Sequence, residues 1–397
     1  MATAIDVKRA YKPRLSLRML GATAPVFPGF DIDISARVTD ADKPDAVWHR
    51  DRARQMIKAH PELRDLICQT PWTSALCVAY VALHLTIALL LAHQPWWLVL
   101  AAAYVFGTWI NINLFFLGHE CNHGLVFRRA SWNRWLYTFT TLPMCLSSHH
   151  TWWIDHAVHH NDLGSRKDFL TRRRTFLLAT RATSPMLFPL GVIMVPMQLI
   201  RSAIGLVIYL GSALVGRFTP NRAALTVLAE EHLISGYRRS SLMHWAVVYP
   251  ALCFAMLAAL YAYGGWMPIL YLVLSAGFLT GFAHPFMFGL ILGNAHFHGH
   301  RRYQPTSSYY GWMNWLTLHH GLHTEHHDLA GVPWNHLPKI RKIAPEFFDD
   351  LHVIKSYCGL AWMFHFGGED SQATLFDNEN VRNAERLAPD STVGQVA

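Results

Sequence analysis

His323, His326 and His327 form an H-x-x-H-H pattern within Leu318–Asp328, and His156, His159 and His160 repeat it earlier in the chain. A third cluster, His119-Glu-Cys-Asn-His123, precedes both. On a helix, residues three and four apart share one face, so each cluster aims two or three imidazoles at one point. Neutral imidazole is a ligand for iron, zinc and copper. With 25 His in 397 residues, one such spacing arises by chance. Two H-x-x-H-H patterns and an H-x-x-x-H, all beside apolar segments, predict a metal site. The clusters supply about eight ligands, too many for one catalytic zinc with its three protein ligands and about right for two metals. Imidazole ligation with few carboxylates suits iron working with dioxygen.

The elements that must carry these clusters are membrane helices. The chain is 52% hydrophobic and only 15% charged, with mean hydropathy +0.16, too apolar for an ordinary soluble protein of this size. Apolar stretches from Thr73 to Ala92 and from Trp96 to Leu117 are long enough to cross a bilayer, with His93-Gln-Pro-Trp-Trp97 as the turn between them. A second pair runs from Met243 to Tyr263 and from Met267 to Gly293, joined by Gly264-Gly-Trp266. Neither turn holds Lys or Arg, whereas the long polar segments are rich in both. The positive-inside rule therefore puts both termini and all three His clusters on the cytoplasmic side. For the clusters to meet, an even number of spans must separate them. The segment 184–215, apolar but broken by Pro185, Pro189, Pro196, Gln198 and Arg201, is then interfacial or re-entrant. Trp132–Leu146 is apolar enough to lie in the interface as well. A helix is expected around Pro44–Cys68, with Trp48-His-Arg-Asp-Arg-Ala-Arg54 as an amphipathic segment at the membrane surface.

The expected fold is an all-α membrane protein. Four transmembrane helices form two hairpins, with interfacial helices and a cytoplasmic helical cap that holds the di-iron site. Residues 1–70 form a cytoplasmic N-terminal segment, 71–360 the membrane and catalytic domain, and 361–397 a C-terminal tail. The membrane would be a bacterial inner membrane or the endoplasmic reticulum. Six scattered Cys without a C-x-x-C suit a reducing compartment, and the N-terminus lacks the apolar core of a cleaved signal. The net charge of +8 fits anionic headgroups or an acidic protein partner. No nucleic-acid-reading module accompanies it, so no nucleic-acid partner is expected.

A cytoplasm-facing di-metal site at the roots of membrane helices points to a lipidic substrate. An oxidant that breaks an unactivated C–H bond gives such a site its purpose, with one chain carbon held near the metals and water kept out. Two successive hydrogen abstractions from neighbouring carbons form a double bond. Oxygen transfer after the first gives a hydroxylase, and loss of carbon dioxide beside a free carboxylate gives a terminal alkene, as in a fatty acid decarboxylase. The competing class is a His-rich membrane metal transporter, which requires ionisable residues along a pathway through the spans. The spans hold only His84, Asn111, Asn113, His244 and His284, with no carboxylate, which favours the enzyme.

The three boxes resemble those of the membrane fatty acid desaturase superfamily. Ser308-Tyr-Tyr-Gly311, Thr324-Glu-His-His-Asp328 and Leu337-Pro-Lys-Ile-Arg-Lys-Ile-Ala-Pro-Glu346 are closer still to its sphingolipid delta-4 desaturase branch. The resemblance covers roughly residues 70–360. It implies a mushroom-like helical membrane domain, two irons, dioxygen as co-substrate and an external electron donor. By motif, the metal ligands are His119, His123, His156, His159, His160, His323, His326 and His327. The family pattern implies a ninth ligand near the end of the fourth span. Asn294-x-x-x-His298 matches a pattern in which the Asn holds a metal-bound water, whereas alignment on Tyr309-Tyr310 favours His296. No His-Pro-Gly-Gly haem motif is present, since His284-Pro285 is followed by Phe-Met. The donor is then a separate protein of ferredoxin, rubredoxin or cytochrome b5 type. The chain departs from the branch in Ser-Ser-His-His-Thr-Trp-Trp before the second box, in His296-Phe-His-Gly-His300 and in a longer tail, which leaves the substrate, its head group and the position of attack open. His149, His150, His319 and His320 are expected to support the site rather than ligate. Asp155, Glu325 and Asp328 either orient imidazoles or serve as caps and surface carboxylates. His84 reads as a satisfied interior residue.

Overall fold

The computed structural model describes residues 44–145, 156–165, 168, parts of 192–211, 243–280, 284–286 and 304–366. These residues are mostly helical. Helix α1 spans Pro44–Ala59 and is followed by a 3-10 turn at Pro61–Leu66. Helix α2, Thr73–Leu90, has neither acidic nor basic residues in its end turns. Pro95 then starts α3, a continuous rod over Trp96–Asn122 interrupted by one π-helical turn at Ala103–Gly107. The wide turn is closed by Thr108 Oγ1, which donates to the Ala103 carbonyl at 3.0 Å. Helix α4 covers Ala130–Thr141, α5 Met243–Gly264 and α6 Trp266–Thr280.

Among the described residues, three helices are long and apolar enough to cross a membrane: Thr73–Leu90, Trp96–Asn122 and Val247–Gly264. The fourth expected span, from Met267 to Gly293, is described as helix as far as Thr280, and most of its remainder lies outside the described residues. The helices pack closely because small residues sit where they touch. A Cβ on Gly107 would collide with the Ser275 side chain of α6. A Cβ on Gly264 would collide with Ala92, so the turn after α2 rests against the turn after α5. The α5–α6 turn itself needs Gly265, whose φ of +64° lies in the left-handed region. His84, buried in α2, has its Nδ1 3.0 Å from the Tyr271 hydroxyl of α6, the partner expected of an interior His. In the 184–215 segment, the described residues Val195 and Leu199 join the apolar cluster of these helices.

Helix α4 lies against the far end of α3. It buries Tyr137, Thr138 and Thr141 and leaves Trp132, Trp135 and Phe139 exposed. Its start is tied down by Asn133, which accepts from the Phe127 N–H at 3.1 Å and donates to the Phe127 carbonyl at 2.6 Å.

The cap combines α1 with residues 304–366. Met56, Leu63 and Leu66 pack with Leu322, Leu329, Val332, Leu337, Ile340 and Phe348. Its short elements are strand β1 (Ser308–Tyr309), α7 (Met313–Leu316), α8 (His323–Asp328), α9 (Leu337–Ile343), strand β2 (Val353–Ile354) and α10 (Tyr357–Phe366). The strands pair in parallel, Ser308 with Val353 and Tyr309 with Ile354. This small sheet departs from the all-helical expectation, because two-residue strands are too short to show an alternating pattern. Helix α1 also differs from its amphipathic reading. It turns His49 and Arg52 inward, so its buried face is partly polar.

Candidate metal centre

The end of α3 supplies His119, and His123 follows immediately as the helix stops. A helical stretch over 156–161 supplies the second box, and α8 supplies the third. Sequence separation is large, yet the eight imidazoles converge into two groups. One ring nitrogen from each of His119, His123, His156, His160 and His326 lies within 4.8 Å of the others, and the same holds for His159, His323 and His327. The helical spacing makes this division. On α8, His323 and His327 are four apart and face one group, while His326 turns toward the other. The second box divides in the same way, with His156 and His160 in one group and His159 in the other.

The spacing between the rings also matches ligation of shared metal ions. His156 Nε2 lies 2.7 Å from His123 Nε2, and His326 Nε2 lies 3.2 Å from His160 Nε2. Nitrogens held at about 2.1 Å from one ion at right angles are about 3 Å apart, the same scale. Neither nitrogen of His323 has a hydrogen-bond partner although both are buried, and the same is true of His327 Nε2. Buried polar atoms are almost always paired, so these nitrogens fit the binding of a cation. Burial holds His123 down to about 3. It also keeps His156, His160, His323, His326 and His327 well below the ordinary range, with neighbouring imidazoles adding to the effect. Neutral rings offer the lone pairs that ligation needs.

Around the ligands lies a shell of groups that fix their orientation. His159 Nδ1 is 3.0 Å from Asp168 Oδ1, which leaves Nε2 for a metal. Glu325 points away from the imidazoles. It accepts from Ser308 Oγ at 2.5 Å and from the Tyr310 hydroxyl at 2.7 Å, and Arg341 stacks over the Tyr310 ring at 4.1 Å. Burial raises the Glu325 carboxyl above the ordinary range, and these two hydrogen bonds oppose that rise. Ser308 also accepts from the Thr324 N–H at 2.9 Å. Asp328, its side chain fully buried, takes His49 Nδ1 at 2.7 Å and Arg52 at 3.1 Å through both Nε and Nη2. Arg52 also donates to the Phe347 carbonyl at 2.8 Å. Glu325 and Asp328 are thus internal ties of α8 and not surface carboxylates.

His319 and His320 join neither group. His320 stacks on Phe116 with ring centres 3.3 Å apart, and His319 packs between Trp315 and Trp334. Glu120, within the first box, accepts the Trp334 N–H at 3.1 Å. Asn294, His296 and His298, with His149, His150 and Asp155, lie outside the described residues. Asp168, Ser308, Tyr310, His49 and Arg52 were not singled out from sequence as parts of the site. Tyr310 and Ser308 fall in the Ser-Tyr-Tyr-Gly motif, and His49 and Arg52 share a helix face at i, i+3. No spacing marks Asp168.

A family model described as fatty acid desaturase matches residues 95–357. A sphingolipid delta(4)-desaturase-like protein of Oryza sativa subsp. japonica is 30% identical over 325 residues, 80% of this chain and 85% of the relative. A sphingolipid delta(4)-desaturase of Schizosaccharomyces pombe is 28% identical, covering 80% and 81%. A human sphingolipid delta(4)-desaturase/C4-monooxygenase is 27% identical over 365 residues, 88% of this chain and 98% of the relative. No solved structure matches the chain.

Proposed function

The chain belongs to the fatty acid desaturase family, and on that premise we propose that it is an oxygen-dependent di-iron enzyme that desaturates the long chain of a sphingolipid. The coarser statement stands on the family alone: it is a lipid-modifying oxidoreductase with apolar helices suited to a membrane. The observation that carries the finer reading is the division of eight buried imidazoles into two groups, each able to hold one metal. His119, His123, His156, His160 and His326 would hold one iron. His159, His323 and His327 would hold the other, with His296 or His298 completing it and Asn294 near a bound water. When bound, two irons and dioxygen supply the oxidant for removing hydrogen from neighbouring chain carbons.

The protein's own residues do the rest. Asp168, Glu325 and Asp328 hold the imidazoles in place, so that little reorganisation accompanies reaction. Phe116, Leu117, Leu318, Trp334 and Leu337 line one side of a small cavity beside His119 and His326, with Glu120 and His320 completing its wall. Four spans in two hairpins are supported by the touching turns at Ala92 and Gly264. That arrangement puts residues 1–70, the cap within 71–360 and the tail 361–397 on the cytoplasmic side of a bacterial inner or endoplasmic reticulum membrane. Electrons would come from a separate ferredoxin, rubredoxin or cytochrome b5 type protein docking on the basic surface.

Hydroxylation is the second outcome, favoured by the double name of the human relative, a desaturase and C4-monooxygenase. The test is product analysis. Reconstituted enzyme with reductant and dioxygen is incubated with saturated ceramide-linked, CoA-linked and free chains. The expected result is loss of two hydrogens from the ceramide-linked chain, or gain of one oxygen at the same site. Turnover of free or CoA-linked chains alone would overturn the sphingolipid assignment.

A further inference from the structure

Two segments, Gly311–Leu318 and α10, are exceptions to the cytoplasmic placement proposed above for the rest of the cap and tail. The parallel strands β1 and β2 run in the same direction, so the chain leaves both at the same end. After β1 come Gly311–Leu318, and after β2 comes α10. Residues 311–320 contain no Lys, Arg, Asp or Glu, and neither does α10. Both are apolar, and both carry large exposed side chains. Trp312 is 67% exposed, Trp315 79%, Trp362 68% and Phe366 67%.

Their neighbours place them at depth. The Leu316 carbonyl accepts from Trp109 Nε1 at 2.7 Å and from Asn113 Nδ2 at 3.0 Å. Both donors belong to α3. At 1.5 Å per residue, Asn113 lies about 9 Å and Trp109 about 15 Å along the helix from His119, away from the metal end. A second helix gives the same depth. The Trp109 ring packs edge-on to Tyr80, which lies about 10 Å into α2 from Thr73. Leu318 packs with Cys77 and Leu117, and Met313 with the cluster that holds Ile110 and Leu114. Tyr357, Leu360 and Ala361 of α10 enter that same cluster.

Irregular backbone survives at hydrocarbon depth only where its polar groups are satisfied from within the protein. The double donation to Leu316 meets that condition, and it explains why α3 carries an Asn in a span. The return is abrupt: Leu318 and His319 have φ of 49° and 56°, a left-handed pair without glycine that turns the chain back toward His323.

We propose that Gly311–Leu318 and α10 form a paired shelf immersed in the acyl layer on the metal side of the bilayer, with lipid chains against the exposed faces of Trp312, Trp315 and Trp362. The shelf joins the membrane to the third box through the four residues 319–322. It rests on α2 and α3 crossing the bilayer, as proposed above, and is independent of the metal and the substrate.

The test places an environment-sensitive NBD label on single cysteines in full-length protein in phospholipid vesicles, with Cys68 and Cys358 replaced by Ser. Trp315→Cys and Trp362→Cys report the shelf, Val105→Cys the middle of α3, and Asp350→Cys the aqueous cap. The shelf labels are expected to emit to the blue of Asp350→Cys. Lipid carrying a nitroxide on its acyl chain should quench them, and aqueous iodide should not. Iodide quenching at either shelf position, beside an immersed Val105→Cys, would overturn the shelf. An aqueous Val105→Cys would instead overturn the crossing of α3.

Discussion

His327→Ala is expected to reduce turnover by more than about a hundredfold, beyond the 10–100-fold that loss of a residue merely orienting a metal ligand costs. Iron content should fall from about two to about one per chain. His327 belongs to the smaller group, where only His159 and His323 would remain among the described residues. Five nitrogens in the other group still outnumber the three that suffice for a catalytic metal with open positions, so that group should keep its iron. The adjacent control is His320→Ala. His320 is close to His323, with ring centres 5.5 Å apart, yet lies in neither group. It should retain both irons. Equal iron loss in both variants would mean that general disruption, and not ligation, is being measured. The readouts are iron per chain and product formation on protein purified the same way.

Asp328→Ala is expected to be the most destabilising change in the cap, at about 3–5 kcal/mol, the cost of removing one partner of a buried ion pair. The Asp328 side chain is fully buried, and that of Arg52 is 13% exposed. Without the carboxylate, Arg52 is left between Trp48, Phe347 and Phe348 with only the Phe347 carbonyl to satisfy it. His49 loses its Nδ1 partner, although burial already holds it below its ordinary value and largely neutral. Helix α1 should loosen, seen as a lower melting temperature and faster tryptic cleavage at Arg50, Arg52 and Arg54. Arg52→Met added to Asp328→Ala should recover part of the loss, because it removes the orphaned charge. An Asp328→Ala protein that melts like the parent would show that α1 is held by its apolar contacts alone.

The ligand clusters were legible because helical periodicity is written directly into spacing. H-x-x-H-H places imidazoles on one face wherever it occurs, and the structure brings all eight together as that rule requires. Three of the four expected spans were legible for a similar reason, since an uncharged apolar run has few alternatives. What escaped was everything set by tertiary contact. Asp168 reaches His159 through a loop without periodicity, and His49 meets Asp328 across 279 residues. The shelf was hidden by His319 and His320. Their polarity made 311–320 look like part of a cytoplasmic cap, although the stretch before them holds only apolar residues, Asn314 and Thr317. The split of each H-x-x-H-H box between two groups was legible as well, because adjacent His residues on a helix point in different directions; which ring joins which group was not, because that depends on where the second box arrives.

Metal analysis of the purified full-length protein tests the central claim most directly. The account predicts about two irons per chain, without the absorption bands of haem, and their joint loss with activity on chelation. One metal per chain, zinc in place of iron, or full activity in metal-free protein would contradict it.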